Sequence, residues 1–296
     1  MTVLIDVAQL THELAGERPP RLLDVRWVLT KPDGREDHAA GHIPGAVYVD
    51  LDTDLAAHGE PEDGRHPLPT REAFEAAARR WGLQGGDAVV VYDHGPAFAA
   101  ARAWWLLRHA GVDVRILDGG LEAWIAAGGA VEAGAVTPPP GAITLDWDRM
   151  PVVDADGAGT WPSHGTLLDA RVGERYRGEV EPVDPAAGHI PGAINAPTAA
   201  NVHPDGTFLH SDDLVVRFAA MGCWADSGAV AGRAAESGSD PNAPKVAVYC
   251  GSGVTAAHQI AALEIAGIPA ALYPGSWSQW SNQAHRPVAT GAEPGA

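Results

Sequence analysis

"AGHIPGA" stands at residues 40–46 and again, letter for letter, at 187–193. A seven-residue identity within one chain of 296 residues is not chance, and it extends to the surroundings of the two copies. They repeat in order. "LLDVR" from Leu22 returns as "LLDAR" from Leu167, "VVVYD" from Val89 as "VAVYC" from Val246, and "DGGLEAW" from Asp118 as "PGSWSQW" from Pro274. The offsets drift between 145 and 157 residues, as loop insertions between fixed elements produce. The chain is a duplication.

Each half alternates strand and helix signals. "RLLDVR" and "TLLDAR" are short buried-strand runs, as are "AVVVYD" and "KVAVYC". After the latter pair, Trp104, Leu107 and Gly111 repeat the spacing of Ile260, Leu263 and Gly267, which suits one helix face. A further strand ("VRILD"; "AALYP"), a glycine turn and a Trp-containing helix complete each half. The expected fold class is α/β, two tandem domains, each a parallel sheet flanked by helices on both faces. Expected boundaries are 1–136, a proline-bearing linker over 137–160, and 161–296. The polar stretch from Gly232 to Pro244 reads as a surface loop.

Composition narrows the function class. Twenty basic against 38 acidic side chains give a net charge of -18, without a Lys/Arg block, which argues against nucleic-acid or membrane-surface partners. No apolar run reaches membrane-spanning length. With only two cysteines, Cys223 and Cys250, and no secretory signal at the N-terminus, a cytoplasmic location is expected. Nothing resembles a zinc site or a phosphate loop, so neither metal nor cofactor is expected.

Cys250 ends a strand and opens "CGSGVT", where Gly251 and Gly253 permit a tight turn into a helix. Such a turn points successive backbone N–H groups inward and adds the positive end of the helix dipole, so it favours an anion. A thiol there is set up as a thiolate nucleophile. The matching position in the first half is Asp93, which carries no sulfur and is expected to repel an anionic substrate. Cys223, in "MGCWAD", lacks the glycine cradle and reads as a packing residue.

The doubled "GHIPGA", the strand–cysteine–loop–helix and the closing "YPGSWSQW" resemble the two-domain rhodanese-type sulfurtransferases over essentially the whole chain. The resemblance implies an inactive N-terminal domain and a Cys250 persulfide in the C-terminal one. The sulfur would come from a small-molecule donor and go to a thiol, such as that of thioredoxin, or to cyanide. The loop "CGSGVT" is similar to that of members using 3-mercaptopyruvate, whereas thiosulfate-using members carry cations in the loop. Thiosulfate:cyanide transfer is the alternative, and a non-enzymatic binding module a further one. A Cys-dependent phosphatase is rejected, because Ala256 occupies the place of its phosphate-clamping arginine.

The same resemblance implies site residues. Ser252 would assist proton transfer, with His66 of "GRHPLP" and Asp52 of "YVDLDTDL" as its relay. Gly251, Gly253, Val254 and Thr255 would line the donor beside Cys250. Arg175 of "GERYRG" would hold the donor's carboxylate through a two-pronged hydrogen bond. A second family arginine is replaced by Val183, with Arg177 as a nearby candidate substitute. His42 and His189 recur in both halves and are expected to hold the fold. Trp277 and Trp280 are expected to wall the site, and Trp104, Trp105 and Trp124 to lie in the core.

Overall fold

The computed structural model describes residues 2–224 and 244–295. Most of the stretch read as a surface loop, from Gly232 onward, lies outside the described residues. Two sheets are present, one per half, and every strand pairing in both is parallel. In the N-terminal sheet the strands are β1 (Leu4–Ile5), β2 (Arg21–Asp24), β3 (Val47–Tyr48), β4 (Ala88–Tyr92) and β5 (Asp113–Leu117). Their order is β1-β5-β4-β2-β3. The C-terminal strands β6 (Thr166–Asp169), β7 (Ile194–Asn195), β8 (Val246–Tyr249) and β9 (Ala270–Leu272) run in the order β7-β6-β8-β9. The edge seat that β1 fills in the first sheet is taken in the second by a single parallel bridge from Val152 to Leu272.

That bridge corrects the linker expectation. Val152 already belongs to the C-terminal sheet, and Ala155–Thr160 form a short helix capped by the Asp154 side chain, which accepts from Gly157 N at 2.8 Å. The sequence "ADGAGT" conceals this helix because it buries only Ala155 and Ala158 and shows no apolar period.

The repeated motifs explain one another. At the end of β2 the buried Asp24 pairs with Arg26 at 2.6 Å, and Arg26 Nη2 donates to the Gly41 carbonyl at 2.9 Å. At the end of β6 the buried Asp169 pairs with Arg171 at 2.6 Å, and Arg171 Nη2 donates to the Gly188 carbonyl at 2.7 Å. "LLDxR" therefore exists to hold the Gly of "GHIPGA". The central strands tie the same element: Ile43 N donates to the Tyr92 hydroxyl at 3.0 Å, and Ile190 N to that of Tyr249 at 3.1 Å. His42 and His189 are fully buried, each hydrogen-bonded through Nδ1 to a backbone carbonyl and stacked on a neighbouring ring.

The helices that follow the two loops, Ala100–His109 and Val254–Ile265, pack against each other across the seam. Both are buried nearly all round, as a helix between two sheets must be. Trp104, Trp105, Leu107, Ile260 and Leu263 join one apolar core shared by the halves. Gly111 and Gly267 end these helices with φ of +77° and +74°, a left-handed conformation that glycine adopts without strain. Trp124 lies in the core as expected, but Trp277 and Trp280 do too: both are buried in a C-terminal cluster rather than lining the site. Within that cluster the Arg171 guanidinium sits over the Trp277 ring, 4.5 Å from its centroid.

Asp169→Ala would leave the buried Arg171 guanidinium without its main partner. We expect a loss of about 3–5 kcal/mol, read as a lowered urea midpoint, with Asp24→Ala losing stability by the same cause in the first half.

Candidate active site

Cys250 lies at the carboxyl end of β8, where parallel sheets place their ligands. It is 2% exposed, and the loop that follows curls over its sulfur. Gly253 has φ of +79°, and its N–H donates to Cys250 Sγ at 3.1 Å. The closing Trp helix secures the loop from outside: Trp277 N donates to the Cys250 carbonyl at 3.0 Å and Ser278 N to that of Gly251 at 2.9 Å. The backbone of Trp277, not its indole, is what serves the site. Val254 begins the helix and is buried, while Thr255 is half-buried beside it.

The equivalent loop of the first half is closed by its own side chain. The Asp93 carboxylate accepts backbone N–H bonds from Gly95, Ala97 and Ala99 at 3.0 Å and from Ala100 at 3.3 Å. Burial pushes this carboxyl upward, with those four donors opposing. Asp93 therefore does more than repel anions, as its charge alone suggested. It fills the anion nest. The Leu121 and Glu122 amides close that loop in the same way, onto the Asp93 and His94 carbonyls.

The halves meet at Ser252. His66 Nδ1 lies 2.7 Å from Ser252 Oγ, and His66 Nε2 lies 3.3 Å from Asp52 Oδ1. Asp52 also accepts from Trp27 Nε1 at 3.0 Å, and the Trp27 ring stands edge-on to His66. A proton on Nε2, facing Asp52, leaves Nδ1 to accept from the serine hydroxyl. Burial foremost, then the positive charges of Arg102 and Arg65, push His66 down to about 3. The imidazole is thus neutral at pH 7 and orients Ser252 rather than storing a proton.

Arg175 is mostly buried beside the loop. Its Nε and Nη2 donate to Glu181 at 3.1 and 2.7 Å, and Nη2 donates also to Asp184 at 3.0 Å. Arg177 turns outward onto Glu179 and is no substitute for the missing arginine. Val183 is exposed.

Two arginines escaped the sequence reading. Arg65, adjacent to His66, pairs with Asp184 on the opposite half. Arg102, on the Ala100 helix, is fully buried; its guanidinium donates to the carbonyls of Leu55 (3.2 Å), His66 (2.9 Å), Pro67 (3.4 Å) and Gly253 (3.2 Å). Its burial lowers it to about 10, so it remains a cation at neutral pH, and the nearby Cys250 sulfur is its electrostatic counterpart. The neighbourhood of His66 held a signal for Arg65. For Arg102 there was none, because an arginine in an apolar helical run reads as a surface charge. Cys223 is buried just beyond the Ser211–Ala219 helix, and burial pushes its thiol up to about 11, unlike a reactive centre.

His258, buried under Phe208, is likewise held down to about 3 by burial. Unfolded, each histidine takes a proton near pH 6.5; folded, neither does until about 3. The unfolded chain therefore binds more protons across that interval. The stability due to these residues is complete above pH 6.5 and falls as pH drops toward 3, by at most about 1.4 kcal/mol per pH unit for each. Urea unfolding of the wild type against His66→Gln should show the variant losing less stability between pH 7.5 and 5.

Comparison with known proteins fits this geometry. The model of the Rhodanese-like domain matches twice, at residues 6–127 and 155–283. A Mycobacterium tuberculosis protein named "Putative thiosulfate sulfurtransferase SseB" is 45% identical, covering 98% of this chain and 97% of its own. A Pseudomonas aeruginosa protein named "Probable 3-mercaptopyruvate sulfurtransferase" is 42% identical over 97% of this chain and 98% of its own. The solved structure of SseA from Escherichia coli, described among the 3-mercaptopyruvate sulfotransferases, superposes with a TM-score of 0.78 at 32% identity, covering 94% of this chain and 99% of that one. With both halves matched and relatives this similar over nearly the full length, the chain belongs to the rhodanese family.

Proposed function

We propose that the protein is a sulfurtransferase that takes sulfur from 3-mercaptopyruvate onto Cys250 and passes it to a thiol or to cyanide. The observation that carries this reading is the Cys250 sulfur under the Gly253 amide, beside a serine already hydrogen-bonded to His66. Cys250 and Ser252 are the reacting pair, His66 and Asp52 position the serine, and Arg175 receives the donor's carboxylate.

In the first half-reaction the Cys250 thiolate attacks the donor sulfur. An S–S bond forms, the S–C bond breaks, and its electron pair leaves on carbon as pyruvate enolate. Ser252 Oγ, held in place by His66, gives its own proton to that carbon and takes the donor's thiol proton in its place, so charge and protons balance. The perthiolate rests against the Gly253 amide and above the Arg102 cation. In the second half-reaction an acceptor thiolate, such as that of reduced thioredoxin, attacks the outer sulfur and Cys250 leaves as thiolate. Ping-pong kinetics follow. The first half, its nest filled by Asp93, lends His66, Asp52 and Arg102 but no chemistry. A reducing cytoplasm suits a chain with two free thiols.

The name of the Mycobacterium tuberculosis relative favours a second reading, thiosulfate as donor. Against it stands the local charge. Arg171 and Arg175 share Glu181, Arg171 pairs with Asp169, and Arg65 and Arg175 share Asp184. Three guanidiniums meet three carboxylates, so among the described residues the one cation left without a carboxylate beside the site is Arg102, and it faces the Cys250 sulfur, which leaves no second positive charge for a dianion.

Mass spectrometry after incubation with each donor tests the choice. We expect one added sulfur on Cys250 from 3-mercaptopyruvate and none in Cys250→Ser; addition from thiosulfate alone would overturn the donor assignment. His66→Gln should slow turnover roughly 100-fold while the Cys250→Ser protein shows no transfer with either donor.

A further inference from the structure

We propose that Cys250 and Arg102 form an ion pair across the seam: the silent half supplies the charge that keeps the sulfur reactive, and the sulfur supplies the charge that keeps the halves docked. The inference deepens the reading of Cys250 as sulfur carrier and rests on it. Among the described residues three arginines are buried, and two have a carboxylate at hand. Arg26 holds Asp24 and Arg171 holds Asp169, each at 2.6 Å. Arg102 has no such partner among the described residues; its guanidinium meets the carbonyls of Leu55, His66, Pro67 and Gly253. Carbonyl dipoles solvate a cation but leave its charge uncancelled.

The two loops of the duplication show what the sulfur lacks. The Asp93 carboxylate gathers four backbone N–H donors. The Cys250 sulfur accepts one among the described residues, from Gly253 at 3.1 Å. The residue that faces each loop from the opposite half differs in the same sense. His258 stands where Arg102 stands, edge-on to Phe98 of the Asp93 loop, and burial holds it down to about 3, hence neutral. An anion with four donors is satisfied without a cation. One with a single donor, buried away from water, is not.

Arg102 reaches the right place. Its Nη1 donates to the Gly253 carbonyl at 3.2 Å, and a Cβ built on Gly253 would lie 3.2 Å from that same nitrogen. The cation therefore abuts the residue whose amide touches the sulfur. Burial lowers Arg102, and the Cys250 sulfur opposes that fall. The other arginines near the loop are already matched, Arg175 by Glu181 and Asp184, and Arg65 by Asp184. Sulfur transfer preserves the pair, because the perthiolate of the first half-reaction is again an anion. Neutralising the sulfur strands a buried cation between the halves.

Two measurements on the full chain test this. Alkylation of Cys250 by the neutral iodoacetamide should slow roughly tenfold in Arg102→Met, yet stay within about threefold of wild type in Arg102→Lys, which keeps the charge without the guanidinium fork. In Arg102→Met, kcat should fall with KM for the donor little altered. The second measurement is a double-mutant cycle. Cys250→Ser should lower the urea midpoint of the wild type and leave that of Arg102→Met unchanged. Equal lowering in both backgrounds, or none in the wild type, would overturn the ion pair; so would an Arg102→Lys protein alkylated as slowly as Arg102→Met. Should Arg102→Met fail to fold, Arg102→Lys decides by itself, a roughly tenfold loss of alkylation rate there sinking the idea. Neither alkylation nor unfolding needs sulfur transfer, so failure of every donor would count against the reading of the function and not against the pair.

Discussion

A guanidinium with no carboxylate partner among the described residues is buried completely between the two halves, and the geometry of the site depends on it. Burying an unpaired charge costs several kcal/mol, and Arg102 offsets this only by drawing four carbonyls toward itself. Those carbonyls belong to Leu55, His66 and Pro67 on one side and to Gly253 on the other. One positive charge therefore ties the segment bearing His66 to the loop bearing Cys250. It also gives a sulfur anion a counter-charge that cannot be diluted by solvent, because neither group is exposed.

The pseudo-symmetry of the duplication makes the arrangement intelligible. Arg102 and His258 occupy matching positions on the two packed helices, 156 residues apart, the same offset that relates Trp104 to Ile260. Each helix thus presents one residue toward the other half. The loop with the sulfur receives a cation. The loop of Asp93 is satisfied by its own carboxylate, and His258, neutral and hydrogen-bonded to Thr198, packs between Phe98 and Phe208 nearby. The two halves differ at paired positions, Cys250 against Asp93 and Arg102 against His258, while "LLDxR", "GHIPGA" and the strand tyrosine kept their shared work of holding the sheet ends.

The acidic composition of the chain is felt inside the site as well as on the surface. Glu181 and Asp184 are nearly inaccessible, and burial pushes the Asp184 carboxyl upward against the pull of Arg65. Arginines so closely matched by carboxylates act through directed hydrogen bonds more than through a diffuse field.

Much of this was legible in the amino-acid order alone. The duplication, the parallel α/β class and the seat of Cys250 at a strand end all follow from local signals: a repeated heptapeptide, short apolar runs, glycines before a helix. Such features are decided by neighbours a few residues apart, and a linear reading sees them. The helix of Ala155–Thr160 and the burial of Trp277 and Trp280 escaped it, since each depends on what a segment packs against. The meeting of His66 with Ser252, 186 residues apart, and of Arg65 and Arg102 with the Cys250 loop belonged wholly to the tertiary structure. No spacing along a chain encodes how two copies of one fold face each other; that orientation is fixed by the shared apolar core between the Ala100 and Val254 helices, where shape and burial choose the partner surface.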